Sequence, residues 1–216
     1  MKKAINSKCH GLNNQNNQSM NRQGIRMISN RVENGQLGEK NSVFIAFYAE
    51  PSHLYQTNPD CRAWGAKAWF AKVSLLGVMI RWNGGMGFVG GQVDAGETLI
   101  EAALRECSEE IDHTPDIEQL TLVCSHSMEK GDFKQNTHLY VCKVSVDELY
   151  GLRQKSVQSY HGRVESAGYV VVHMSPDAPE TLLNGVWAGT GKQELEILLN
   201  SGLIKKATFE VNDNPL

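Results

Sequence analysis

Between Gly91 and Glu110 the chain reads GQVDAGETLIEAALRECSEE, a run that few architectures accommodate. Leu99, Ile100, Ala103, Leu104, Cys107 and Ile111 recur at helical intervals, so one face of this segment is built for a core. Glu106, Glu109 and Glu110 stand three and four residues apart, which stacks them on another face of the same helix. Carboxylates that close repel one another, and a hard divalent cation relieves the repulsion. Mg²⁺ takes oxygen ligands, keeps several waters and is commonly held by a few carboxylates together with phosphates. The cluster therefore reads as a place where a cation bridges protein and pyrophosphate. A solvated acidic helix face is the plain alternative, since charge runs are often only that. Gly90, Gly91, Gly96, Glu97 and Arg105 in register with the acids weigh against it.

Two charged residues at the edge of the run have a different part. Arg105 is placed to face Glu101 one helical turn away, and Glu97 lies at the helix entrance, where a carboxylate suits the dipole. Glu97 and Arg105 read as braces of the loop and helix, not as groups that touch a substrate.

The spacing of Gly91, Glu97, Arg105-Glu106 and Glu109-Glu110 resembles the Nudix signature. Six fixed identities of ordinary usage coincide by chance about once in 10⁷ start positions, so the match is specific. The flanks narrow the resemblance. Arg81 on a strand, Gly87-Phe88 and then Gly90-Gly91-Gln92-Val93-Asp94 resemble the snoRNA-decapping and inosine-diphosphatase branch of the superfamily. Phe47-Tyr48-Ala49, His138-Leu139-Tyr140, His161-Gly162 with Glu165, and the Gln193–Ile204 tail are similar to it too.

That resemblance implies an α/β fold, a Nudix-type α/β/α sandwich with a mixed sheet. It implies metal-dependent hydrolysis of a diphosphate linkage, in (deoxy)inosine-type diphosphates or in RNA 5′ caps. Glu106, Glu109 and Glu110, with the Gly90 carbonyl, would hold Mg²⁺ or Mn²⁺. The proton of the attacking water would go to a carboxylate, for which Glu109, Glu110, Glu165 and Glu129 all remain open. Arg81 and Phe88 would meet the nucleotide, as a phosphate partner and a stacking ring. Trp187, between Gly185 and Gly189, is a second ring for a base or else a cover over the core. His161, beside Gly162, is placed to approach the phosphates.

This sequence also departs from the pattern. Asp112 and His113 stand where a glycine and an apolar residue usually close the signature, and the branch's histidine on the first core strand is replaced by Phe44 or Ile45. A hydrolase of ADP-ribose, dinucleotides or nucleotide sugars is the alternative, and a non-catalytic nucleotide or RNA sensor a further one.

The 216 residues suit one domain, over 41–210, plus an extension, and 41% hydrophobic content is enough for a sizeable core. No apolar run has the length of a membrane span. The five cysteines form no CxxC or Cys/His cluster, and Cys107, Cys124 and Cys142 fall in apolar segments, which points to buried thiols in a reducing, cytoplasmic or nuclear compartment. Residues 1–40 differ in kind. They hold twelve Asn or Gln, seven Lys or Arg, two Glu and no Phe, Trp or Tyr, so they carry +5 and leave −8 to the rest of a chain whose net charge is −3. Such a segment buries too little apolar surface to offset its ordering entropy and is expected to be disordered. The acidic remainder favours a small nucleotide as partner over a large nucleic-acid footprint, with capped RNA and a homodimer left open.

Strands are expected at 43–48, 69–73, 77–82, 120–125, 138–146 and 169–173, with a turn at Asn83-Gly84-Gly85. Besides the helix of the acidic run, a second main helix is expected over 191–199, stopped by Gly202.

Overall fold

The computed structural model describes residues 17–20, 26–50, 55–56, 69–71, 74–130, 132–175, 177–205 and 210–211. Its centre is β3 (Asn41–Ala49), whose alternate residues serve two cores. Val43, Ile45 and Phe47 point to one face of the sheet; Phe44, Ala46 and Tyr48 point to the other. Both faces are covered, so the strand reads as an almost unbroken apolar run instead of an alternating one.

Around β3 the described residues form a nine-stranded mixed sheet. Its main path runs β1 (Asn17–Met20), β2 (Arg26–Val32), β9 (Leu120–Lys130), β10 (Phe133–Lys143), β3, β6 (Leu75–Arg81) and β11 (Ser166–His173). β10 lies parallel to β3, and the other pairings are antiparallel. β6 accompanies β3 only at Tyr48 and Ala49. Along Ser42–Ile45 its place is taken by β8 (Val89–Gln92), reached through the turn at Asn83 and the short β7 (Met86–Gly87). That exchange of neighbours brings the Gly90-Gly91 backbone to the middle of the sheet. A separate three-stranded sheet holds β4 (Tyr55–Gln56), β5 (Trp69–Ala71) and β12 (Glu210–Val211).

Helices cover the two faces. α1 (Leu99–Ile111) and α2 (Val146–Gln158) lie on the Val43–Ile45–Phe47 side; α4 (Ala178–Asn184) and α5 (Gly191–Asn200) lie on the other. This is the expected α/β/α sandwich with a mixed sheet. Ala102, Ala103 and Cys107 are small and fully buried, so α1 sits close to the sheet, with Ile111 completing the contact. A fully buried Ile or Leu side chain such as Ile111, Leu195 or Leu198 contributes about 1.5–3 kcal/mol. Cys107, Cys124 and Cys142 are buried thiols, as their apolar surroundings in the sequence foretold.

Several expectations are corrected. Arg26–Val32 lies within the segment expected to be disordered, yet it pairs antiparallel with β9 over Met27–Val32. Backbone hydrogen bonding to an open sheet edge needs little apolar side-chain content, which is why composition concealed it. Residues 1–16 and 21–25 lie outside the described residues. The strand expected over 138–146 runs Phe133–Lys143 instead, and Val146 opens α2. α2 and α3 (Tyr160–Glu165) escape the hydrophobic periodicity because both are polar, short or exposed on most faces. No helix among the described residues is long and apolar enough to cross a membrane.

Candidate active site

The acid-bearing helix is fixed at both ends. Thr98 caps its start in a reciprocal box: the Glu101 N–H donates to Thr98 Oγ1 at 3.2 Å, and the Thr98 N–H donates to Glu101 Oε2 at 2.8 Å. Glu101 is thereby spent on the cap and does not pair with Arg105, contrary to what its spacing suggests. At the far end Asp112 adopts the left-handed conformation, φ 46°, ψ 47°, so aspartate supplies the cap that glycine would supply at lower cost.

Arg105 connects the loop to the helix. Its Nε donates to Glu97 Oε1 at 2.8 Å, its Nη2 to Glu97 Oε2 and to the Gln92 carbonyl at 3.1 and 2.8 Å, and its Nη1 to Glu106 Oε1 and Glu109 Oε2 at 2.9 and 3.2 Å. Glu97 in turn accepts from the Asp94 N–H at 3.0 Å. Hydrogen bonding to Arg105 holds the Glu97 carboxyl below its usual range. The pair thus ties the entry loop to the helix, and Arg105 also lines the cavity below. A lysine cannot reproduce this planar fork. Arg105→Lys is therefore expected to lower kcat/KM about tenfold or more, read from initial rates, while the protein still melts cooperatively.

Glycines let the carboxylates approach the sheet. A Cβ on Gly91 would lie 2.5 Å from Glu106 Oε1, so only glycine leaves room for that carboxylate. Gly90, at φ 139°, donates its N–H to Glu110 Oε2 at 2.8 Å. α3 is pressed against the end of α1 in a similar way: a Cβ on Gly162 would come within 2.2 Å of the Glu110 carbonyl oxygen. Ser159 donates its hydroxyl to the Glu109 carbonyl and accepts from the Gly162 N–H, which ties the two helices together.

These elements open onto one cavity of about 630 Å³. Gly90, Glu106, Glu109, Glu110 and Glu165 line it, with Arg81, an edge of Phe88 and His161. Phe88 is otherwise buried in the core. Of the two residues considered for the first core strand, Phe44 reaches the cavity and Ile45 faces the core beneath α1. Two candidates left open by the sequence lie off the cavity wall. Trp187 is not among the lining residues: its indole N–H donates to the Leu182 carbonyl at 2.7 Å and its ring lies 5.3 Å from that of Phe88, so it covers the core. Glu129 is on β9 beside Lys134 and also off the cavity wall. Sequence reading missed Ser42, Gln135 and Glu194, which do line it.

Electrostatics mark the acid cluster. Burial pushes the Glu110 carboxyl up to about 8, against the Gly90 hydrogen bond, and nearby Glu106 and Glu165 push the same way. Burial also raises Glu106, opposed by Arg105. A carboxyl with a raised value keeps its proton in the folded chain at pH values where the unfolded chain has released it. Its contribution to stability is full below the ordinary value of 4.5 and is lost as pH rises towards 8. Cation-free protein is thus expected to be less stable at pH 8 than at pH 5.5, by on the order of 2 kcal/mol, in melts with chelator. Mg²⁺ should flatten that slope, because it favours the ionised form.

The donor set suits a hard cation: several carboxylates and a backbone carbonyl, all oxygen. The room left beside Glu106 by Gly91 fits the same purpose. Among the described residues no three such groups converge at coordination distance on one point. Glu106 and Glu109 are turned to Arg105 and Glu110 to Gly90, so rotation of terminal carboxylates would complete the set.

The family described as "Nudt16-like: U8 snoRNA-decapping enzyme-like" matches residues 54–195, well over half of the chain. This chain belongs to that family. It is a Nudix hydrolase, an enzyme acting on phosphorus-containing anhydrides. Among solved structures, the Nudix hydrolase resembles the pyrophosphohydrolase BsRppH of Bacillus subtilis, with TM-score 0.51 and 15% identity over 88% of this chain and 99% of that one. It also resembles the Nudix domain of Shewanella oneidensis NrtR complexed with ADP ribose, with TM-score 0.50 and 14% identity over 77% of this chain and 89% of that one. At these identities the likeness concerns the fold. No curated protein sequence matches.

Proposed function

We propose that this Nudix hydrolase cleaves the diphosphate linkage of purine nucleoside diphosphate derivatives, namely (deoxy)inosine-type diphosphates and RNA 5′ caps. The observation that carries the reading is a single cavity whose wall joins the acid cluster of α1 to Arg81, Phe44 and an edge of Phe88. Glu106, Glu109, Glu110 and the Gly90 carbonyl would hold Mg²⁺ or Mn²⁺. When bound, such a cation neutralises the diphosphate and makes water a better nucleophile.

The protein's own groups do the rest. Arg81 is exposed at the end of β6 and pairs with phosphate oxygens. Phe44 and Phe88 offer apolar surface to a base. Gly90 and Arg105 orient the carboxylates. Glu165 lines the same wall, 3.9 Å from His161 Nδ1 and without a bond to Arg105 or Gly90, and it takes the proton of the attacking water.

The test is incubation of the purified protein with inosine and guanosine diphosphates, short capped RNAs, ADP-ribose and NAD, with Mg²⁺ or Mn²⁺, and product identification by mass. Phosphate from the diphosphates, or a nucleoside diphosphate from the cap, supports the proposal. Preference for ADP-ribose or a dinucleotide keeps the chemistry and overturns the substrate class. Binding without cleavage overturns catalysis and leaves a sensor.

A further inference from the structure

Exposed apolar side chains are common one by one, but three large ones gather beside the mouth of the cavity. Trp82, Tyr160 and Val164 are 68%, 70% and 58% exposed. Trp82 follows Arg81, which lines the cavity from the end of β6. Val164 precedes Glu165, which lines it from the end of α3. The indole N–H of Trp82 donates to the Val164 carbonyl at 2.9 Å, so the ring bridges the strand end and the helix. Tyr160 and Val164 stand one turn apart and share a face of α3 with Arg163, whereas His161 and Glu165, each one residue on, line the cavity.

Two features set this strip apart from scattered surface residues. The ring's one polar group is already used, so its orientation is held and what it leaves in water is apolar surface. Cations accompany the rings: Arg163 on the same face of α3 and Arg81 on the strand, both exposed. Aromatic rings interleaved with arginine suit single-stranded nucleic acid, whose bases stack and whose phosphates need positive charge. Position supplies the direction. Phe44 and Phe88 stand on the α5 side of the cavity, and the acid cluster belongs to α1. α3 packs against α1, so the strip lies past the acids, on the side away from the two phenylalanines.

We infer that Trp82, Tyr160, Val164 and Arg163 form a platform for the first nucleotides of an RNA whose 5′ cap occupies the cavity. With the cap nucleoside towards Phe44 and Phe88 and the bridging phosphates at the acids, the RNA body leaves over α3. Trp82 stacks on a base there, and Arg163 meets a phosphate of the strand. Stacking tolerates any base, so the platform favours a strand over its absence and not one sequence over another. A free diphosphate ends at the acids and gains nothing from it, so both substrates of the proposed reaction fit one cavity. The chain's net charge of −3 keeps the footprint to a few nucleotides. The inference rests on the cap reading above and deepens it.

The experiment compares kcat/KM for a capped RNA of about ten nucleotides with kcat/KM for IDP, in the wild type, Trp82→Ala, Trp82→Phe and Tyr160→Ala. In Trp82→Ala the RNA-to-IDP ratio is expected to fall roughly tenfold, through KM for the RNA, with a smaller fall in Tyr160→Ala. Trp82→Phe keeps a stacking ring without the N–H and should retain most of the ratio. The ratio of two substrates on one preparation does not depend on how much of the variant is folded. An unchanged ratio in Trp82→Ala overturns the inference. So does a wild type that cleaves IDP alone, or capped RNA no better than a cap dinucleotide. If Trp82→Phe falls as far as Trp82→Ala, Trp82 is only a tie to Val164 and the inference fails. A dimer lost in Trp82→Ala by sedimentation, with the ratio unchanged, gives the strip to a second copy of the chain instead. If neither substrate is cleaved, the reading of the reaction fails, and anisotropy of a labelled, uncapped single-stranded RNA of the same length decides the platform separately: binding weakened by Trp82→Ala and kept by Trp82→Phe supports it, and equal binding overturns it.

Discussion

Glu106→Gln and Glu110→Gln each leave a folded protein whose turnover falls by roughly 10²–10⁴-fold. The reasoning starts from what the fold asks of these side chains. Both are 7% exposed and lie where burial opposes charge. An amide has the same shape and no charge, so the fold loses little, and in Glu110→Gln the amide keeps an oxygen that can accept from the Gly90 N–H. What disappears is anionic oxygen facing the cavity. The two losses should differ in detail. At Glu106 the amide also weakens the bond from Arg105 Nη1, so its loop brace loosens; at Glu110 the brace is untouched. Initial rates with saturating Mg²⁺, paired with melting curves with and without the cation, separate the effects. Wild-type protein should gain melting temperature from Mg²⁺ by mass action, and the variants should gain less. Near-normal rates in both variants would remove the acid cluster from the mechanism.

Much of this site was legible in the sequence because its chemistry is local. Three carboxylates at i, i+3 and i+4 share a helix face whatever the tertiary structure, and Gly91, Glu97 and Arg105 lie within that helix, its entry loop and the strand just before it. Thr98-Leu-Ile-Glu101 also announces its capping box, as Ser145 and Glu148 announce the start of α2, where the Glu148 N–H donates to Ser145 Oγ at 3.1 Å. α2 escapes any reading that weighs periodicity above caps. The rest of the cavity wall was not legible for a different reason. Ser42, Gln135 and Glu194 meet only through the parallel pairing of β10 with β3 and the packing of α5 on that face, contacts between segments far apart in the chain. A lone glutamate in an amphipathic helix carries no local sign that it will be buried. Trp187 shows the converse. Its glycine neighbours suggest an open ring, but Gly191 is small because it packs against that ring, where a Cβ would lie 2.8 Å from Cε3.

Gly90→Ala and Gly91→Ala, one residue apart, are expected to fail in opposite ways. At Gly90 the obstacle is backbone: an added Cβ would sit 2.1 Å from the Val43 carbonyl oxygen and 2.8 Å from the Phe44 Cα, and φ is 139°. Neither can give way without separating β8 from β3, the strand on which both cores rest. Strain at such a φ and overpacking each cost about 1–3 kcal/mol, so Gly90→Ala should lose about 3 kcal/mol or more, much of the margin of an ordinary domain. Low soluble yield or a much lower denaturation midpoint is the expected result. At Gly91 the obstacle is the end of a flexible side chain, the Glu106 carboxylate at 2.5 Å, which can rotate away. Gly91→Ala should therefore keep most of its stability and lose activity, because the carboxylate it displaces belongs to the acid cluster. Urea melts and initial rates on the two proteins decide the matter. Equal loss of stability in both would mean that Glu106 is locked in place by Arg105 too firmly to move, and that the brace outweighs the freedom of the side chain.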